Sequence, residues 1–255
     1  MYPINTLEKA STVDFYFNSG GSAFVVDLEN SFMELELSLL DKVTNERAKK
    51  IADRTISTCN NLAYSIFSDL SIFLNETNVT PSGSHYGYKR YFEDLLNYSA
   101  EVKNTTLLGQ GWINDDPNNF DSLDHNEGLK KRSYFFLNEG APPNTVSHSA
   151  KFLVPLRLGL GNLQLLNGVN MKLRFTLQNP DFVLIHNVTS EENAHGYKIG
   201  INKMKIHLLS RYLEANAYES ITRHLKSTPA THQFVRRELV HFNIAAGTEE
   251  FLLGI

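Results

Sequence analysis

The sequence predicts an all-β protein, an antiparallel sandwich, of which the jelly roll is one form, with two short helical insertions. Apolar side chains occupy every second position from Val169 to Leu177, with polar side chains between them. Phe32–Leu39 alternates in the same way. This period of two is typical of strands with one buried face. Only Tyr86–Tyr98 and Leu213–Lys226 have helical spacing, so strands dominate the prediction.

The other predicted strands are short and follow one another along the chain. They are Thr12–Phe17, Ala23–Leu28, Ile66–Leu74, Phe152–Leu158 and Ile199–Leu208. Pro155 has no backbone donor for a sheet ladder, so we expect its strand at an edge or a bulge. The apolar positions change phase near Asn202–Lys203, which predicts a β-bulge there. The pattern alone does not distinguish a jelly roll from other sandwiches.

The first predicted helix carries one apolar stripe, made of Tyr88, Tyr91, Phe92, Leu95 and Leu96. On its other face we expect the i,i+4 ion pairs Lys89–Glu93 and Arg90–Asp94. Tyrosine is favoured at interfaces because it combines apolar area with a polar tip. The helix tyrosines Tyr86, Tyr88 and Tyr91 are therefore candidate interface residues. Packing against the chain's own barrel would give the same stripe.

Two polar segments lie between the predicted strands and helices. Asn75–Ser84 is rich in Asn, Thr, Ser, Pro and Gly, and Gly111–Lys131 lacks strand periodicity. We expect both to be surface loops, available to neighbouring molecules.

Composition restricts the function classes. The chain has 255 residues, 42% of them hydrophobic, which suffices for one large β domain or two smaller ones. A net charge of -4 argues against a dedicated nucleic-acid binder. The single cysteine, Cys59, excludes an internal disulfide framework and is consistent with folding in a reducing intracellular compartment. No apolar run is long enough for a membrane span. The five N-x-[ST] sequons are interpreted as unglycosylated.

Two polar clusters suggest metal chemistry. His125 and Glu127 form an H-x-E that, with His186, His195 or His207, would imitate the two-histidine, one-carboxylate iron site of a cupin-like oxygenase. It lies in a polar segment rather than on a strand, so a surface loop is the alternative. Five acidic residues in the same segment could bind calcium, but their spacing does not match an EF-hand loop: Asp115, Asp116, Asp121, Asp124 and Glu127. We assign no catalytic, cofactor or metal residues.

Several segments together resemble one protein family. LSIFLNETNVTPS followed by YGYKRYFEDLLNY is similar to the strand, variable loop and tyrosine-rich helix of the double jelly-roll, hexon-like major capsid protein of Polinton/Maverick and adintovirus-type double-stranded DNA elements. Further stretches agree in order and spacing: VDLENSFMELELSLL, NEGLKKR, LLNGVNMKLRFTL and FLLGI. The resemblance implies a double jelly roll, a trimeric capsomer in an icosahedral shell, a place in the virion, and no enzymatic activity. It also implies neighbouring capsomers, penton and minor capsid proteins as partners.

This resemblance gives a domain prediction. We expect an N-terminal arm at 1–20, a first jelly roll at 21–212, a connecting helix and linker at 213–231, and the start of a second jelly roll at 232–255. On this interpretation the chain is truncated just inside the second barrel. The alternative is that the last strand closes the first sheet. A jelly-roll glycan-binding module, using an apical loop and the acidic cluster, is the second functional hypothesis.

Overall fold

The computed structural model describes residues 1–7, 11–18, 20, 23–50, 56–80, 85–120, 122–186, 196–232, 238–240 and 246–247. Most of the predicted start of a second jelly roll, including the predicted strand Phe234–Ile244, lies outside these described residues. The described residues contain ten strands, arranged in two larger sheets and one small sheet.

Ten strands form the framework. They are β1 Thr12–Phe17, β2 Phe24–Asp41, β3 Ile56–Thr58, β4 Phe67–Leu74, β5 Thr77–Asn78, β6 Ser149–Pro155, β7 Gln164–Leu165, β8 Met171–Leu177, β9 Leu184–His186 and β10 Tyr197–Tyr212.

The strands pair antiparallel in two larger sheets and one small one. The first sheet has the order β1-β8-β4-β5, and the second has the order β10-β2-β6, with β7 paired to β2. β3 and β9 form the two-stranded sheet. Neighbours in each sheet are distant in sequence: β1 pairs with β8, and β2 pairs with β10. Together these features give the predicted all-β, antiparallel jelly-roll sandwich.

One hydrophobic core joins the two larger sheets. Leu173 and Phe175 of β8 are fully buried, and so are Leu35 and Leu37 of β2. These residues belong to one cluster. Polar residues alternate with them along each strand, as expected for sheets with one buried face. The inward face predicted for β8 is therefore confirmed.

Two predicted strands merge into the 18-residue β2. Asp27 pairs with Leu209 and Phe32 pairs with His207, so residues 28–31 lie opposite a single residue of β10. Asn30 donates to Asp27 Oδ2 through its side-chain amide (2.9 Å), and Ser31 Oγ donates to the Asp27 carbonyl (2.6 Å). These hydrogen bonds stabilise a local irregularity within β2, at the point where the sequence predicted a break between two strands.

Other strand predictions match closely. A register shift between Ile201 and Lys203 confirms the predicted β-bulge in β10. β6 ends at Pro155 and lies at an edge of its sheet, as the missing backbone donor requires. In β4 the buried positions change phase after Phe67, because a register shift against β8 lies between Phe67 and Asp69.

The helices connect strands. They are α1 Leu62–Ser65, α2 Tyr86–Asn97, α3 Ala100–Lys103, α4 Glu127–Ser133, α5 Pro180–Val183 and α6 Ala215–Leu225, with a 3₁₀ turn at Thr106–Gln110. α2 and α6 are the two predicted helical insertions. The others have four to seven residues, too few to produce a recognisable periodic stripe. Among the described residues, no helix has the length and apolar character needed to cross a membrane.

The N-terminal segment is attached to both sheets. Residues 12–17 of the predicted arm 1–20 form β1 and pair with β8. Before them, the Ile4 amide donates to the Asp14 carbonyl (2.8 Å), and the Met1 ammonium donates to the Ile206 carbonyl of β10. The described part of this segment therefore packs along the sandwich.

Candidate assembly surface

α2 turns its charged side inward. Arg90 and Asp94 are 6% and 0% exposed, although both were expected on the solvent face. Asp94 Oδ2 accepts from Asn61 Nδ2 (2.8 Å) and Gln110 Nε2 (2.6 Å), and Asp94 Oδ1 accepts from the Arg157 guanidinium. A buried carboxylate is tolerated when such donors compensate for its lost hydration.

The ion pairing on this face differs from the prediction. The sequence predicted Arg90–Asp94, but Arg90 Nη1 donates to Glu93 Oε2 (2.6 Å) while Asp94 pairs with Arg157 of the segment after β6. The i,i+4 rule considers only partners on the same helix. Arg157 lies 63 residues away in sequence, and no local pattern indicates it.

Tyr86 and Gly87 anchor α2 to the first sheet. The ring of Tyr86 is 4% exposed and packs edge-on against Tyr64 (6.1 Å between centroids) and Phe175 (6.3 Å). Burial raises the pKa of Tyr86 to about 12. A Cβ on Gly87 would lie 3.0 Å from the Phe67 carbonyl oxygen, so the helix approaches β4 as closely as its backbone allows.

The apolar stripe of α2 faces outward. Tyr88, Phe92, Leu95 and Leu96 are 43%, 42%, 38% and 77% exposed, and we call these four residues the α2 ridge. A helix normally buries its apolar side and exposes its charged side. Here the arrangement is reversed, because four large apolar side chains are exposed and the charged side is buried.

An aromatic groove of about 370 Å³ adjoins the ridge. Its walls include Tyr88, Tyr91, Phe120, Phe182 and Ile185. The Tyr88 and Phe182 rings are 5.1 Å apart, and the half-buried Tyr91 stacks on Trp112 at 5.3 Å. Of the three predicted interface tyrosines, Tyr88 has an exposed ring, Tyr91 borders the groove, and Tyr86 belongs to the core beneath them.

Arg132 and Asn126 fix the loop that contributes Phe120. Arg132 is 2% exposed and donates to the Thr58 carbonyl (2.9 Å), the Ile113 carbonyl (2.6 Å) and Asp115 Oδ1 (2.6 Å). Asn126 caps α4 through Leu129 N (3.2 Å) and donates to Asp115 Oδ1 (2.9 Å). The described part of the predicted polar loop Gly111–Lys131 is thus an ordered wall of the groove.

Gly128 explains why this loop packs so tightly. A Cβ at this position would lie 2.1 Å from the Asn114 carbonyl oxygen. The side chain of any other residue at this position would therefore displace the backbone at Asn114. The glycine lies in the NEGLKKR segment, and its role was not evident from sequence spacing.

The residues of the two polar clusters that suggested metal binding contact other protein groups in the structure. His125 Nδ1 lies 3.0 Å from Ser122 Oγ, and Glu127 pairs with Lys130 at 2.8 Å. His207 lies on β10 against Phe32 and Glu34. Of the acidic cluster, Asp115 accepts from Arg132, and Asp116 accepts from the Glu127 amide (2.8 Å). His195 and Asp121 lie outside the described residues, as does the His186 side chain. Within the described part, no three His, Cys, Asp or Glu side chains are grouped to hold a metal ion.

Comparisons with known proteins bear on the fold. No family model matches the chain. The uncharacterized protein F54H12.2 of Caenorhabditis elegans is 26% identical over 186 residues, which are 71% of this chain and 38% of that protein. PBCV-1 VP54, fitted into a reconstruction of the virophage Sputnik, gives a TM-score of 0.48 at 13% identity, over 88% of this chain and 44% of the other.

A chain from the 3.5 Å cryo-EM structure of the Sputnik virophage is similar with a TM-score of 0.52 at 12% identity. The match covers 84% of this chain and 47% of that chain. This chain therefore spans less than half the length of each of these three proteins. The likeness shows that the antiparallel sandwich described above is a fold that also occurs in a chain of the Sputnik virophage.

Proposed function

We propose that this chain is a structural capsid protein of the double jelly-roll class and not an enzyme. It supplies one jelly roll of a subunit that forms trimeric capsomers, and the capsomers tile an icosahedral shell in the virion. The fold shared with a virophage chain supports this proposal, and so does the coverage of 47% of that chain. The sequence resemblance to the capsid protein of Polinton/Maverick and adintovirus-type elements agrees with it.

The observation that carries the proposal is the reversed orientation of α2. The α2 ridge presents large apolar side chains to the outside, whereas Asp94 and Arg90 are buried beneath them. Burying apolar surface contributes roughly 25 cal/mol per Å². A second copy of this chain is the proposed occupant of the ridge, because in a closed ring of identical subunits the ridge of each copy meets the same complementary surface on the next copy.

The aromatic groove extends the proposed contact. Tyr88 belongs to both the ridge and the groove, and Phe120 and Phe182 are 61% and 37% exposed beside it. Aromatic side chains dominate the energetics of many interfaces because they bury much area and lose little rotamer freedom. Tyr88 is therefore the interface residue on which the proposal depends most. Neighbouring capsomers, penton and minor capsid proteins would contact other surfaces.

The proposal can be tested by thiol reactivity. In a Leu96→Cys variant, the introduced thiol is accessible in the single chain and protected in the assembled subunit. Its modification by a maleimide should slow as protein concentration rises. The native Cys59 interferes little, because burial raises its pKa to about 11 and removes the reactive thiolate at neutral pH.

Val43→Cys is the matched control. Val43 is 84% exposed in the turn after β2 and belongs to neither the α2 ridge nor the walls of the aromatic groove, so its modification should be fast at every concentration. If the cysteine at position 96 reacts as fast as the one at position 43 at all concentrations, the ridge is not a subunit contact.

A further inference from the structure

An apolar groove lies between α6 and the second sheet, on a different part of the sandwich from the α2 ridge. Its volume is about 240 Å³. The start of β2 and the turn after β7 form one wall, and α6 forms the other. We call it the α6 groove, and its walls include Phe24, Val25, Leu166, Tyr218, Ile221 and Leu225.

The groove is present in the single chain because both ends of its α6 wall are attached to the sandwich. Before the helix, the Leu213 amide donates to the Ala23 carbonyl (2.9 Å). Within the helix, the Tyr218 hydroxyl accepts from Asn167 Nδ2 in the turn after β7 (3.2 Å). These two bonds fix the distance between α6 and the sheet.

α6 has an apolar face but buries none of its residues. Tyr218, Ile221 and Leu225 follow one another at i, i+3 and i+7, so they share one face of the helix. Leu225 is 38% exposed, and the other two are half-buried at the groove. A short helix in a protein is normally stabilised by packing its apolar face. In the single chain, this packing is incomplete.

The size of the α6 groove indicates what would complete the packing. Small-molecule sites have volumes of roughly 300–1,000 Å³, so the α6 groove is smaller than such a site. Its walls are mainly apolar, and the space suits a large apolar side chain that enters from outside. The α2 ridge carries side chains of this kind, and Leu96 is 77% exposed at its end.

The ridge and the groove lie on different sheets. α2 approaches β4 of the first sheet at Gly87, whereas the α6 groove is built on β2 of the second sheet. A ring of identical subunits is closed by a contact between two different surfaces of each copy. A convex and a concave apolar surface at two separate places meet this requirement.

The charges beside the two surfaces are complementary. Lys226 is exposed and forms part of the groove wall next to Leu225. On the other surface, the first charged residue after the ridge is Glu101, which is exposed in the first turn of α3. The carboxyl end of α2, where Leu96 lies, also carries the negative end of the helix dipole. A cation at the groove therefore faces negative charge at the end of the ridge when Leu96 enters.

We infer that the α6 groove of one copy receives the carboxyl-terminal end of the α2 ridge of the next copy. Leu96 enters between α6 and β2, and Glu101 pairs with Lys226 at the rim. This inference rests on the proposed function, because it names the surface that the ridge meets in the assembled capsomer. The experiments below distinguish its failure from a failure of the proposed function.

Cysteine cross-linking tests which surfaces meet. In a Leu96→Cys/Leu225→Cys variant, mild oxidation should link copies through disulfides into a ladder that ends at three chains on non-reducing electrophoresis. Leu96→Cys alone and Leu225→Cys alone should stay single chains, and both also control for Cys59. Leu96→Cys/Val43→Cys is the matched control, since Val43 is 84% exposed outside both surfaces, and it should give no ladder.

The outcomes separate the two proposals. If the wild type has the mass of one chain, the proposed function fails and this inference fails with it. If the wild type has the mass of three chains but the double variant forms no ladder, only the assignment of the α6 groove is wrong. Linked pairs from Leu96→Cys alone would show that two ridges meet each other, which would also overturn it.

Charge reversal tests the rim contact with exposed positions that leave the fold intact. Lys226→Glu should weaken association about fivefold, the upper value for an exposed ion pair. Adding Glu101→Lys should restore the affinity, because the pair is then present with its charges exchanged. The dissociation constant is measured by light scattering over a dilution series. A Lys226→Glu chain that associates as wild type does, or a double reversal that associates no better than Lys226→Glu, would contradict the pairing.

Discussion

Asp94 determines which face of α2 turns inward. Its carboxylate receives hydrogen bonds from Asn61 and Gln110 and an ion pair from Arg157, and it is fully buried. Asp94→Ala would leave the Arg157 charge without its partner in a largely buried position. We expect a loss of about 3 kcal/mol in the free energy of unfolding, measured by urea denaturation.

An exposed pair provides the control for Asp94. Glu219 and Arg223 form an i,i+4 pair on α6 with side chains 70% and 77% exposed. Glu219→Ala should cost no more than about 0.5 kcal/mol. If both variants lost the same small amount, the buried network would not be what orients α2.

The stability of the sandwich depends on pH through the carboxyl group of Asp27. Hydrogen bonds from the Asn30 side chain and backbone, together with the Arg211 guanidinium, outweigh the effect of burial and hold its pKa at about 2. A carboxyl group in an unfolded chain has a pKa near 3.9. Because the folded pKa is the lower one, the stabilisation is present above about pH 4 and is lost as the pH falls toward about 2.

This prediction is tested with Asp27→Asn. Wild type should be the more stable protein at pH 6, and the difference should shrink steadily between about pH 4 and pH 2. Chemical denaturation at a series of pH values measures it. A difference that stays constant over this range would show that Asp27 does not contribute through its charge.

β8 is the strand on which the first sheet depends. It lies between β1 and β4, and Leu173 in its centre is fully buried. Leu173→Asp would place an unpaired carboxylate in the core, and we expect no soluble folded protein. Thr77→Asp changes an exposed residue of the short edge strand β5 and should be tolerated. Circular dichroism of the soluble fraction compares the two variants, and similar behaviour would mean that the buried and exposed positions are wrongly assigned.

The elements also show what sequence reasoning can predict. β8 and α2 follow from their periods of 2 and 3.6, because both are long enough for the pattern to repeat. The continuity of β2 across residues 28–31 does not follow, since it depends on side-chain bonds made by Asn30 and Ser31. α4 was not predicted because it has seven residues, although Asn126 before it is an N-cap signal that could have indicated it.

The candidate site was predictable only in part. The apolar stripe of α2 was visible in the sequence, but its direction was not, because packing inward and packing on a neighbour require the same stripe. The deciding residues Asn61, Gln110 and Arg157 are between 16 and 63 positions away from Asp94. The groove depends in the same way on long-range contacts, such as the bond from Arg132 to the Thr58 carbonyl 74 residues away.

For the whole molecule, the jelly-roll sandwich places α2 on its surface with two different flanks. One flank carries the α2 ridge and borders the aromatic groove. The other flank borders a polar cleft of about 610 Å³, whose walls include Arg90, Arg157 and the Gly159–Gly161 turn. A sandwich tolerates such insertions because its core is completed by the two sheets. The two sheets therefore form the framework, and under the proposed function the α2 insertion supplies the subunit contacts.

The oligomeric mass in solution, measured by light scattering after size exclusion, shows whether three copies of this chain assemble through the α2 ridge. We predict three times the chain mass of 28.9 kDa for wild type and for Val43→Glu. The double variant Phe92→Glu/Leu96→Glu should have the mass of one chain with an unchanged circular dichroism spectrum, because charges on the α2 ridge would oppose burial there. A wild type that remains a single chain at its highest soluble concentration would contradict the account, and so would a double variant that is still three chains.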